Sequence, residues 1–112
     1  MDSDRLSLTF AALADPTRRA ILQQLLGGEA AVGELAEPFH VSTRAISKHV
    51  AVLEAAGLVT RVRDRQRRPS RIRLEPLAEV DEWLSAYRDR WKARFDRIDN
   101  NLARTQAKAK RR

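Results

Sequence analysis

Thr43, Arg44, Ser47 and Lys48 fall within two turns of one candidate helix, in the stretch TRAISKHVAVLEAAG. Residues three and four apart on a helix are neighbours, so Arg44, Ser47, Lys48 and Ala51 share a face opposite the apolar stripe of Ile46, Val50 and Leu53. That face combines small side chains with cations. A guanidinium can meet both acceptors on the major-groove edge of guanine, a pairing that discriminates by roughly 1–3 kcal/mol. Arg44 is therefore the candidate for base contact, and Lys48 suits a phosphate. Ser42, Thr43 and Ser47 are less selective donors. The competing reading is the ordinary solvated side of an amphipathic helix.

A second run points the same way. Arg61, Arg63, Arg65, Arg67, Arg68, Arg71 and Arg73 crowd together, with Asp64 the only acid nearby before Glu75. Like charges facing each other across a strand ladder repel. Such an excess makes sense where phosphates neutralise it. Arg67 and Arg68 suit a narrow A·T-rich minor groove, which attracts arginine. Plain solubilisation is the alternative. The net charge of +7 over 112 residues favours a polyanionic partner, whether DNA, RNA or an anionic membrane surface. Charge alone does not choose among them.

Other chemistry is poorly supplied. The chain has no cysteine, which excludes disulfides, thiolate metal sites and thiol redox switches. A metal site needs several convergent ligands, and His40 and His49 lie on different sides of Ser42 with no obvious third partner. His49, at the edge of the apolar stripe, can donate to a phosphate or pack across the turn. It is counted with the DNA-contacting set. Asp81, Glu82 and Asp89 alternate with Arg88, Arg90 and Lys92 at helical spacing and read as a solvated, paired face. An all-carboxylate site for a hard cation is the other reading. There is no phosphate-binding glycine loop and no recognisable order of serine, histidine and acid. Ser47 and His49, two apart, point away from each other. No catalytic residue, cofactor or metal is expected, and an enzyme is the least favoured class.

The elements that must position these residues follow in order. Leu6, Phe10 and Leu13 set a first helix over 4–14. Asp15 suits the N-cap of the second, with Pro16 at its first position, where a missing N–H costs nothing. Ile21, Leu22, Leu25 and Leu26 give its buried face, and Gly27 and Gly28 end it. A short connector, 29–31, leads to a third helix over 32–38, in which Leu35 and Ala36 face inward and Phe39 closes the end. Ser42 can cap the fourth helix, and Gly57 can end it with a positive φ. Residues 58–64 and 70–75 alternate around the polar segment 65–69, which reads as a β-hairpin. Leu77, Val80, Leu84, Tyr87, Trp91, Phe95, Ile98 and Leu102 then mark a long last helix from Pro76. One domain is expected over 1–103 and a basic disordered tail over 104–112. No apolar run is long enough to span a bilayer, and the start lacks a secretory layout, so a cytoplasmic protein is expected.

The apolar stripe of the last helix is too long for a small core to cover. A second copy of the chain is its simplest cover. Leu6, Phe10, Leu84, Tyr87, Trp91, Phe95 and Ile98 are the candidate dimer residues, with Trp91 as anchor. Trp83, Tyr87, Trp91 and Phe95 could instead line a pocket for an organic effector, though such stripes are more often core or interface.

Glu34-Leu35-Ala36, Val41-Ser42, Ser47-Lys48-His49-Val50, Leu53 and Ala56-Gly57-Leu58-Val59, with Ala14-Asp15-Pro16-Thr17-Arg18-Arg19 upstream, resemble the ArsR/SmtB family of winged-helix transcriptional regulators. The resemblance runs from about residue 8 into the last helix. It implies a mainly α fold with a small β-hairpin, a winged helix-turn-helix in the order α-α-α-α-β-β-α, dimeric through the first and last helices. It implies a sequence-specific regulator of double-stranded DNA, a repressor acting as a homodimer on a pseudo-palindromic operator. Two family metal sites do not carry over: Leu35-Ala36-Glu37-Pro38 stands in place of a Cys-Val-Cys-like run, and no histidine follows His49. His40 sits in the turn where such proteins often have glycine, and the hairpin lacks the glycine common at family wing tips. Two other classes stay open, a nonspecific architectural nucleic-acid binder and a regulator acting mainly through a protein partner. The effector is not identified.

Overall fold

The computed structural model describes residues 4–62 and 68–110, the last three by backbone alone. Its elements are α1 (Arg5–Leu13), α2 (Pro16–Leu25), α3 (Val32–Ala36), α4 (Thr43–Ala55), β1 (Val59–Arg61), β2 (Ser70–Ile72) and α5 (Glu75–Lys110). The chain divides into two units, Met1–Val80 and Asp81–Arg112, with the boundary inside α5.

In the first unit each helix start is chemically specified. Asp4 accepts from the Leu6 N–H at 3.2 Å and the Ser7 hydroxyl at 2.9 Å. Asp15 accepts from the Arg18 N–H at 3.1 Å, and Ser42 from the Ala45 N–H at 3.1 Å. These satisfy donors that a helix N-terminus leaves open. Ala31 has no acceptor to offer, so Glu34 reaches back to its N–H at 3.2 Å and supplies the other half of a capping box. The α4 C-terminus closes as a Schellman motif. The Leu58 N–H donates to the Leu53 carbonyl at 2.9 Å and the Gly57 N–H to the Glu54 carbonyl at 3.0 Å. This places Gly57 at φ 78°, which a residue with a Cβ adopts at a cost.

Ile21, Leu25, Leu35, Ile46, Val50, Leu53 and Leu58 are buried together, so α2, α3 and α4 close on one core with the start of the hairpin. Phe39 and Leu77 pack against its edge. Two expectations shift, at Leu26 and at the second strand. Leu26 is 59% exposed because Ile21, Leu22 and Leu25 already fill the inward arc, and each residue turns the helix a further 100° or so. In α1 the buried positions are Thr9 and Ala12, while Phe10 is exposed and Leu6 half-buried. Thr9 is accommodated by donating its hydroxyl to the Arg5 carbonyl at 3.0 Å. The expected second strand stops at Ile72. The Arg73 N–H turns to the Leu58 carbonyl at 2.8 Å, and Leu74 is exposed as the chain enters α5.

The hairpin is antiparallel, with Val59 opposite Ile72, Thr60 opposite Arg71 and Arg61 opposite Ser70. Its root has a third partner. Ala30 and Ser70 exchange both backbone bonds, at 3.1 and 2.8 Å, so the α2–α3 connector lies alongside β2. Val59 and Ser70 mark the inward face, which Arg61 shares by alternation.

The second unit is the remainder of α5. The helix runs for 36 residues, about 54 Å at 1.5 Å per residue. It continues to Lys110, so 104–110, expected as a disordered tail, are helical. Alanine, lysine, arginine and glutamine are good helix formers, and extending an existing helix needs no new nucleus. Trp83, Tyr87, Trp91, Phe95, Ile98 and Leu102 are all exposed along it, and Leu84 is half-buried. Trp83 and Tyr87 pack ring on ring, with centroids 5.0 Å apart.

Candidate nucleic-acid interface

α3, a turn, and α4 form a helix-turn-helix, and β1–β2 follow it as a wing. Ser42, Thr43, Arg44, Lys48 and Ala51 are exposed along one side of α4, and Ser47 is half-buried beside them. Ile46, Val50 and Leu53, all 0% exposed, hold the other side in the core. Among the described residues neither Arg44 nor Lys48 has an ion-pair partner, so both cations are presented to solvent. The N-terminus of α4 adds its partial positive charge to the same end. His40 is exposed in the turn, and among the described residues only Arg68 is a non-glycine with positive φ. The turn is thus made without a left-handed backbone at His40, which is why glycine is dispensable there.

A polar cluster that sequence reading did not resolve joins α1, α2 and α4. Arg18 Nε donates to the Ala12 carbonyl at 2.7 Å and Nη2 to the Ala11 carbonyl at 3.0 Å. Arg19 Nη1 donates to the Leu13 carbonyl at 2.7 Å. The two adjacent arginines of α2 therefore satisfy the last carbonyls of α1, where the helix dipole also favours cations. The signal was present as Arg18-Arg19 two residues after Pro16, but its target lies behind it in the chain. Arg18 Nη1 also lies 3.4 Å from His49 Nδ1, which in turn is 3.8 Å from Asp15 Oδ2. His49 so turns Nδ1 inward and ties α4 to the start of α2.

The bond from the Arg18 N–H, with the charges of His49 and Arg18 beside it, holds the Asp15 carboxyl below its usual range. The folded-state value lies below the unfolded one. Its stabilisation is therefore present above the ordinary carboxylate range and lost as pH falls through the lowered value. Asp15→Asn keeps a capping oxygen and removes the charge. Denaturant midpoints taken from neutral into acid pH should fall less steeply for this variant than for the parent.

The wing is less uniformly cationic than its sequence. Arg61 Nε points inward, is buried without a hydrogen-bond partner, and lies 3.8 Å from Glu54 Oε1. Arg71 Nε donates to Glu29 Oε1 at 2.8 Å, and its Nη2 donates to the same oxygen. Arg73 Nε is 3.6 Å from Glu75, whose carboxyl is held low by its own N–H and by Arg73. Glu54, Glu29 and Glu75 thus lie within ion-pair distance of arginines at the wing root. Arg61 and Arg71, placed with the DNA-contacting set from sequence, are occupied in this way. Arg68 is exposed, with φ 41°, the left-handed turn backbone that a glycine would otherwise supply. Arg63, Arg65 and Arg67 lie outside the described residues.

No group of three or more histidine, aspartate or glutamate side chains that could hold a metal occurs among the described residues. Among them, too, no helix is long and apolar enough to cross a membrane.

This is the architecture of a winged helix-turn-helix, and comparison with known proteins agrees. A family model described as a helix-turn-helix domain matches residues 13–62. The crystal structure of an ArsR family transcriptional regulator is similar over 80% of this chain and 98% of that one, at 38% identity and a TM-score of 0.72. A homodimeric winged helix-turn-helix DNA-binding domain from Mycobacterium bovis is similar over 77% of this chain and 80% of that one, at 29% identity and a TM-score of 0.62. The transcriptional repressor SdpR of Bacillus subtilis is 43% identical over 51 residues, 46% of this chain and 57% of that protein. The chain thus matches little more than half the length of that curated relative. It belongs to the ArsR family of winged helix-turn-helix transcriptional regulators.

Proposed function

We propose that the chain is a sequence-specific DNA-binding repressor that acts as a homodimer on a pseudo-palindromic operator. The observation that carries this is the exposed cationic side of α4, with Arg44 and Lys48 unpaired among the described residues above a fully buried opposite side. In this reading Arg44 reads base edges, and Lys48, Thr43 and Ser47 hold the backbone. Arg68 and its neighbours in the wing reach the adjacent groove. The names of the similar repressor and of the homodimeric DNA-binding domain support it. Binding measured by fluorescence anisotropy on the chain's own upstream DNA and on a scrambled duplex tests it. A preference on the order of a thousandfold supports the reading. Equal affinity that collapses with salt favours the nonspecific architectural alternative.

Two copies are needed to read a palindrome, one per half-site. The exposed stripe of Tyr87, Trp91, Phe95 and Ile98 is the surface proposed to join them, together with Leu6 and Phe10 of α1 and Leu84 of α5. Trp91→Ala should shift the chain from dimer to monomer in sedimentation analysis at micromolar concentration. The loss is about 2 kcal/mol or more for a central aromatic anchor. A variant as dimeric as the parent would place the interface elsewhere.

A further inference from the structure

We infer that Glu29 tempers the electrostatic grip of the proposed DNA interface: it occupies Arg71 and so withholds one cation from phosphate binding. The inference rests on the DNA-binding reading above. Glu29 and Arg71 lie 42 residues apart in sequence, yet both Nε and Nη2 of Arg71 donate to one carboxylate oxygen. The backbone arranges this meeting. Ala30, next to Glu29, is bonded in both directions to Ser70, next to Arg71. Register places Arg71 opposite Thr60, on the outward face of the wing and away from the buried Val59 and Ser70.

Stability does not explain the pair. Its side chains are 59% and 36% exposed, and such surface pairs contribute about 0–1 kcal/mol. The two backbone bonds of Ala30 already hold the wing root. The larger consequence is electrostatic. A free arginine on a wing binds the phosphate of any sequence, because phosphates carry no sequence information. Each such contact steepens the salt dependence by about 0.9 in log–log slope. With Arg71 engaged by Glu29, the nonspecific affinity drops while the base-reading side of α4 is untouched. Because the withheld contact is to phosphate, affinity for every sequence is lowered alike and the salt dependence is shallower.

Anisotropy binding of the full chain to a random-sequence duplex across a salt series tests this, with E29Q, R71A, the double variant and E37Q compared. E29Q should bind the random duplex several-fold more tightly, with a salt slope steeper by about one. R71A alone should leave the slope at the parent value, and the double variant should return to it. E37Q removes the same charge from an exposed acid at the end of α3 and should leave the slope unchanged. A damaged fold would lower affinity and flatten the slope, opposite to the expected change. The inference is overturned if R71A alone flattens the slope by about one, or if E29Q leaves it unchanged. A parent chain that binds neither this duplex nor its own upstream DNA would overturn the DNA-binding reading itself, and the inference with it.

Discussion

Arg44→Ala is expected to lower affinity for the operator by about five- to 150-fold, corresponding to roughly 1–3 kcal/mol, while changing affinity for scrambled DNA far less. The asymmetry is the point of the measurement. Arg44 stands on the exposed side of α4 one residue past the Thr43 start, with no ion-pair partner among the described residues. Removing it breaks no internal bond, so the fold should be unaffected. Lys48→Ala, one turn on, should weaken both DNAs alike, as expected for a phosphate contact. A variant at Arg44 that lost equal affinity on every duplex would reduce it to a phosphate contact, and base reading would have to be assigned elsewhere on α4.

Leu53→Ala should destabilise the folded chain by about 2–5 kcal/mol. Leu53 is 0% exposed in the core that α4 shares with α2, α3 and the hairpin root. Its carbonyl also accepts the Leu58 N–H that closes the Schellman motif, a bond the substitution spares. The loss is therefore one of packing. Against a typical total of 5–15 kcal/mol this is a large share. The thermal midpoint, compared at one fixed protein concentration, should fall by roughly 10 °C or more. A midpoint within a degree or two of the parent would mean that the side chain is not buried as described.

The elements that sequence made legible are those specified locally. Asp15 and Ser42 act as caps because a short polar side chain needs only its own next few residues to accept from. Ile46, Val50 and Leu53 were readable because a buried stripe repeats with the helix. Gly57 was readable because one backbone conformation ends the helix there. What sequence did not show depends on groups that meet across the fold. Arg18 and Arg19 reach back to α1 carbonyls, which no periodicity encodes. Arg71 meets Glu29 and Arg61 approaches Glu54, so a run of arginines that looks uniformly available is partly neutralised at its root. Arg61 was assigned to the interface by type alone. Its alternation with Val59 already placed it on the inward face once Val59 proved buried. The helical backbone of residues 104–110 was not legible because apolar periodicity ends at Leu102, whereas helix propensity in an established helix does not.

The central claim is that two copies place their α4 helices in successive major grooves of one operator. Footprinting of the chain's upstream DNA tests it most directly. Two protected patches on one face of the duplex, about one helical turn or roughly 34 Å apart and related by a pseudo-twofold axis, are the expected result. Uniform protection that spreads with protein concentration, or a single unpaired patch, would contradict it.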